Sequence, residues 1–155
     1  MPTASSFDEV AQRNLAGYLH RLSRLLSALS EHRWARDGHP DMRSAHVQVL
    51  RNLDPAGTRS TVLAQRAQVT KQTMSRLVKE LAVSGYVSLS PDPADSRASL
   101  VRLTERGTAF LTYLAGTLAD FERAIGQIVG PERLIEFAAT TKELLAFAEK
   151  RQQEL

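Results

Sequence analysis

The 155-residue chain has no cysteine. That excludes a disulfide framework, a thiolate zinc site and a thiol redox switch. It also has no run of about 18 apolar residues, so no membrane-spanning helix and no membrane partner are expected. The first residues lack the basic start and apolar core of a secretory leader, and a cytoplasmic protein is expected. Catalytic signatures are missing as well: there is no Gly-rich phosphate loop, no Gly-x-Ser-x-Gly elbow and no His-Glu-x-x-His. The reading is therefore not an enzyme, with no cofactor. His20, His32, His39 and His46 never stand four residues apart and no Cys accompanies them, so no metal site is expected. Internal repeats and low-complexity segments are absent too.

What is present is a globular balance, with 43% hydrophobic and 24% charged residues. The net charge of +3 says little, but its distribution says more. Residues 41–107 hold 10 Lys/Arg against 6 Asp/Glu, while residues 108–155 hold 5 against 7. A positive excess confined to the middle of a chain is the electrostatic footprint of a phosphate-bearing partner.

That middle contains Thr70–Gly85, TKQTMSRLVKELAVSG. Met74, Leu77, Val78 and Leu81 recur at helical spacing and predict one buried stripe. Thr70 is suited to the N-cap, and Gly85 to the left-handed step after a helix. Lys71, Gln72, Thr73, Ser75, Arg76 and Lys79 fall largely off the stripe, Thr73 nearest its edge. Arg, Lys, Gln, Thr and Ser crowded into the first turns of a helix suit a DNA major groove. By themselves they equally describe an ordinary solvated face.

The flanking chain supplies the context. Ser6-Phe-Asp-Glu9 has the form of a capping box and predicts a helix from there to about residue 35. Val10, Leu15, Tyr18, Leu19, Leu22, Leu25, Leu26 and Leu29 give it an apolar face wide enough to meet a second chain, and Trp34 reads as interface packing. Arg43 to Leu53 predicts a second helix, and Asp54-Pro-Ala-Gly57 a turn. Thr58-Arg59 is an extended pair, and a third helix is capped by Ser60. With Thr70–Gly85 this makes a helix-turn-helix. After Gly85 the period changes to 2. Residues 86–89 and 100–103 predict two strands, with PDPADSRAS as the loop between them and Arg97 at its tip. A hairpin in that place is a wing, and its Arg suits a minor groove. Thr104 caps a long helix, Gly130-Pro131 breaks it, and Pro131 opens the last helix.

This order of elements resembles the MarR family of bacterial transcriptional regulators, over about residues 7–150. The resemblance is carried by Leu63-Ala64, VTKQTMSRLVKEL, GYV at 85–87 and PDPADSRASLVRLTERG at 91–107, with Asp95, Arg97, Leu103-Thr104 and Gly107 at the family's wing positions. It implies a mainly α fold with a small β-hairpin wing: one domain over 1–155, a winged lobe at 41–104, and dimerisation helices at 6–36 and 104–152. It also implies a homodimer on a pseudo-palindromic operator in double-stranded DNA. Ser60, Thr61, Thr70, Lys71, Gln72, Thr73, Ser75, Arg76, Lys79, Asp95 and Arg97 are the candidate DNA-binding residues, with Asp95 orienting Arg97. Where the family's wing often has Lys, two positions after Arg97, this chain has Ser99. Family members often bind small aromatic acids, so a small aromatic or phenolic effector is a candidate partner, with His20, Arg24 and His46 as candidate contacts. Two rival readings are a helical dimer whose winged lobe binds protein, and a winged-helix RNA binder.

Overall fold

A computed structural model describes residues 14–154. The Ser6–Glu9 capping box lies outside them. The chain divides into two compact units, Met1–Thr108 and Ala109–Leu155.

In the first unit, helix α1 spans Leu15–Arg36. Asn14 is extended, and its side chain accepts from the Gly17 N–H at 2.8 Å. Asn14 is therefore an N-cap, so this helix begins there instead of running unbroken from Ser6. Helix α2 (Ser44–Arg51) buries His46, Val47, Val49 and Leu50. Its first N–H, on Ser44, is satisfied by the Glu31 carboxylate of α1 at 2.7 Å. Gly57, at φ +94°, closes the turn into strand β1 (Thr58–Arg59).

Helix α3 (Ser60–Arg66) starts one residue earlier than expected. The cap position is Arg59, without a side-chain cap bond, and Ser60 is the first helical residue. Gln68, at φ +54°, makes the left-handed step between α3 and the next helix. Helix α4 (Lys71–Val83) has Thr70 as N-cap, the hydroxyl accepting from Thr73 N–H at 3.1 Å. Met74, Leu77, Val78 and Leu81 are all buried, as their spacing required. Gly85 follows at φ +76°.

Strands β2 (Val87–Asp92) and β3 (Asp95–Leu103) form the wing, with sheet order β1-β3-β2. Most of the expected PDPADSRAS loop is strand: Pro91 pairs with Ser99, and Asp92 with Asp95 across a register shift. Pro91 is tolerated because β2 is an edge strand, where a missing N–H costs no ladder bond. Arg97 consequently lies within β3, beside the turn at Pro93-Ala94. Trp34, expected between chains, is buried within its own chain at 4% exposure.

Thr104 joins three elements. Its hydroxyl donates to the Gly85 carbonyl at 2.6 Å and accepts from Gly107 N–H at 3.1 Å, opening helix α5 (Glu105–Val129). The second unit holds the rest of α5 and helix α6 (Pro131–Gln153), with Gly130 at φ +90° before Pro131.

Candidate nucleic-acid interface

Burying Met74, Leu77, Val78 and Leu81 turns the opposite side of α4 to solvent. Gln72, Arg76, Lys79 and Val83, spaced four, three and four residues apart, form its outer ridge, and all are exposed. Val83 is 81% exposed. Thr73 is half-buried, and its hydroxyl lies 2.9 Å from that of Thr70, so both hydroxyls serve the helix cap.

Two grooves open on this lobe. One, of 520 Å³, is lined by Ser60, Ser75, Val78, Lys79, Ala82, Val83, Leu89 and Ser99, from α3, α4 and both wing strands. The other, of 360 Å³, is lined by Thr61, Val62, Ala64, Gln65, Val69 and Lys71. The folded lobe thus gathers Ser60, Ser75 and Lys79 in one groove and Thr61 and Lys71 in the other. Sequence reasoning missed Leu89 and Val83 as groove walls. Period-2 alternation inside β2 was the available signal for Leu89. Ser99, noted only as a missing Lys, is a wall residue as well.

The wing is held by charge. Asp92, 8% exposed, takes the Ala94 N–H at 2.8 Å and the Arg59 guanidinium. The Ala94 bond first, and Arg59 second, hold its carboxyl below the usual carboxylate range. Asp95 accepts the backbone N–H of Arg97 at 3.1 Å and lies 3.9 Å from Arg59. Asp95 therefore orients the Arg97 backbone, while the exposed Arg97 guanidinium makes no ion pair among the described residues. Arg66 plays a similar part below, reaching Asp54 at 2.9 Å and the Asn52 carbonyl at 2.8 Å. The Arg66 hydrogen bond is the main cause of the lowered Asp54 pKa.

The candidate effector residues do not converge in the same way. His20 and Arg24 are exposed one turn apart on α1. His46 is buried in α2 and uses both ring nitrogens inside the lobe. Nδ1 accepts the Arg43 N–H at 3.2 Å, so Nε2 carries the proton and donates to Glu80 at 2.9 Å. A ligand would have to displace one of these partners. Neither groove is lined by any of the three.

A helix-turn-helix followed by a hairpin wing, with a basic outer ridge, defines a DNA-binding winged-helix lobe of the kind found in transcription regulators. Residues 41–98, within the helix-turn-helix and wing, match the MarR family model. A curated relative is the exopolysaccharide II synthesis transcriptional activator ExpG of Rhizobium meliloti (strain 1021), 27% identical over 82% of this chain. The match spans 66% of that relative, just under two thirds of its length. Among solved structures, Streptococcus pneumoniae FabT in complex with DNA superposes with a TM-score of 0.74 at 14% identity, over 88% of this chain and 96% of that one. Streptomyces coelicolor PcaV in complex with its natural ligand gives 0.62 at 23% identity, over 89% and 99%. At these identities the structures establish the shared winged-helix fold.

Proposed function

We propose that the chain is a homodimeric, sequence-specific DNA-binding regulator that represses transcription from a pseudo-palindromic operator. The observation that carries this reading is the exposed ridge of Gln72, Arg76 and Lys79 beside the Arg97 wing. Gln72, Ser75 and Arg76 read base edges in the major groove, while Lys71 and Lys79 anchor phosphates. Thr73 contributes through the cap it shares with Thr70. Arg97 enters the adjacent minor groove. A retained basic ridge argues against a lobe converted to protein binding. The exposed leucines of α1 favour two-fold symmetry over a monomeric RNA binder.

A small aromatic or phenolic effector would act by population shift. It must prefer a spacing of the two lobes that mismatches half-sites about 34–36 Å apart. FabT was solved in complex with DNA and PcaV in complex with its natural ligand, which supports a DNA partner and a ligand of some kind for this fold. A second reading, activation, is favoured by the relative named as a transcriptional activator. A reporter driven by the bound promoter separates them: deleting the regulator raises output under repression and lowers it under activation.

Footprinting and gel shift on the DNA upstream of the chain's own gene test the central reading. Arg97→Ala should weaken the shift clearly; unchanged affinity would remove the wing from the interface. Lys79→Ala should weaken all duplexes alike and lower the log–log salt slope by about 1.

A further inference from the structure

Glu80 is the one acidic residue of α4, and it stands beside the basic ridge. Each of its oxygens has a different partner. Oε1 accepts from Arg76 at 2.7 Å, and Oε2 from His46 Nε2 at 2.9 Å. Side-chain exposure falls along this chain of contacts, from 64% at Arg76 to 41% at Glu80 and 7% at His46. His46 is fixed in turn by the Arg43 N–H on Nδ1. An exposed Arg on the DNA-facing ridge is therefore tied, through one carboxylate, to a buried imidazole on α2. The His46 bond, and then Arg76, hold the Glu80 carboxyl below its ordinary pKa, so it is ionised at neutral pH.

We propose that Glu80 is a specificity-determining positioning residue, which holds Arg76 in one orientation and bars it from promiscuous phosphate contact. The proposal rests on the DNA-binding reading above. An ordinary surface pair four residues apart on a helix contributes only about 0.3–0.5 kcal/mol, because both side chains wander. Here the acid is anchored at its second oxygen, so its rotamer is set from inside the lobe. One edge of the guanidinium is occupied by Oε1, and the remaining N–H donors project from the ridge. Those donors match the paired O6 and N7 acceptors of guanine. A phosphate must instead compete with a fixed carboxylate of its own sign. The device gives up general affinity in exchange for discrimination.

The test uses the full chain. A site is first selected by the wild type from a randomised duplex library. Affinities for that site and for a scrambled duplex are then measured by anisotropy across a salt series. Glu80→Gln keeps the shape and can still accept from His46, but it removes the charge. It should bind the scrambled duplex several-fold tighter, with a salt slope steeper by about 1. Its preference for the selected site should fall by about tenfold, as expected from loss of one well-made base contact. Reselection should relax one base step and leave the others. Glu80→Asp retains the charge but is one methylene too short to reach both partners, and should fall between the two. A purely structural salt bridge would lower the melting temperature of Glu80→Gln and leave slope and preference unchanged; that result overturns the proposal. Failure of the wild type to prefer any duplex would instead overturn the DNA-reading function itself, and is seen before any variant is compared.

Discussion

The backbone of Gly107 approaches Tyr86 so closely that a Cβ at position 107 would stand 2.1 Å from the Tyr86 carbonyl oxygen and 2.9 Å from Leu103 Cδ2. That carbonyl already accepts the Thr104 N–H at 3.2 Å, so it has little freedom to move. Gly107→Ala would force the first turn of α5 away from the base of the wing. Its expected cost is about 1–3 kcal/mol or more, as for other overpacked sites. That outweighs the roughly 1 kcal/mol that Ala gains over Gly in a helix. Gly116, on the same helix, has nothing within 4 Å of its added Cβ. Gly116→Ala should therefore raise stability by up to about 1 kcal/mol. Urea midpoints of the two variants should move in opposite directions, and a shared direction would contradict the close approach.

Features set by local rules were legible in the residues. The α4 stripe needed only helical spacing, and its ends needed only Thr70 and Gly85. The wing's extent was not legible, because Pro91, Asp92 and Asp95 have low strand propensity. Pairing with β3, and an edge position for Pro91, override that preference. Contacts across long separations were equally hidden. His46 meets Glu80 34 residues away, and Arg59 meets Asp92 33 residues away; no periodicity reports either. Asp54 read only as a turn residue and Asp95 only as a partner of Arg97; the pairing of Asp54 with Arg66 and the approach of Asp95 to Arg59 depended on the fold. Gly107 read only as a position of the resemblance, and the Tyr86 approach shows why Gly stands there.

His39 gives the lobe a pH dependence. Arg106 donates to the Tyr86 hydroxyl at 3.3 Å and lies 4.6 Å over its ring. The hydroxyl in turn lies 2.8 Å from His39 Nδ1, within hydrogen-bond distance. Burial first, and the Arg106 charge second, lower the His39 pKa, with Asp37 opposing. A depressed histidine pKa means that the folded state binds fewer protons than the unfolded chain. The contribution is thus complete above the unfolded value of about 6.5 and is lost as pH falls through the folded one. Between pH 7 and pH 5 the wild type should lose more stability than His39→Gln. The lowered carboxyls of Asp54, Asp92 and Glu80 act in a separate window, below about pH 4. Parallel melting curves for the two proteins from pH 7 to 5 would rule out His39 as the source.

Arg59 should govern the wing more than any residue within it. It neutralises Asp92 and approaches Asp95, the residue that fixes the Arg97 backbone. Removing it leaves a nearly buried carboxylate without its cation. In Arg59→Ala, amide hydrogen exchange at residues 94–97 should accelerate at least severalfold, while α4 amides keep their protection. DNA affinity should fall in step, although Arg59 itself need not touch DNA. Lysine at 59 restores the charge but not the planar fork, so rescue should be partial. Unchanged exchange at 94–97 in Arg59→Ala would mean that the hairpin holds itself.

The dimer can be tested on one helix. On α1, Leu15, Tyr18, Leu22, Leu25 and Leu29 follow each other at alternating spacings of three and four residues. This is the spacing of a seam between packed helices. All five are 45–63% exposed in the single chain. A fully buried leucine contributes about 1.5–3 kcal/mol, so covering such a seam is a strong drive to association. In sedimentation at micromolar concentration the wild type should run at twice its 17.1 kDa chain mass. Leu22→Lys with Leu25→Lys should give the 17.1 kDa species with its helix content kept, since both positions are exposed within the chain. A wild type at the chain mass would sink the dimer, and a double variant still at twice that mass would move the interface off this seam. The monomer should also lose most of its operator affinity. A single lobe engages only one of two half-sites about 34–36 Å apart, and no longer benefits from the high effective concentration of its tethered partner.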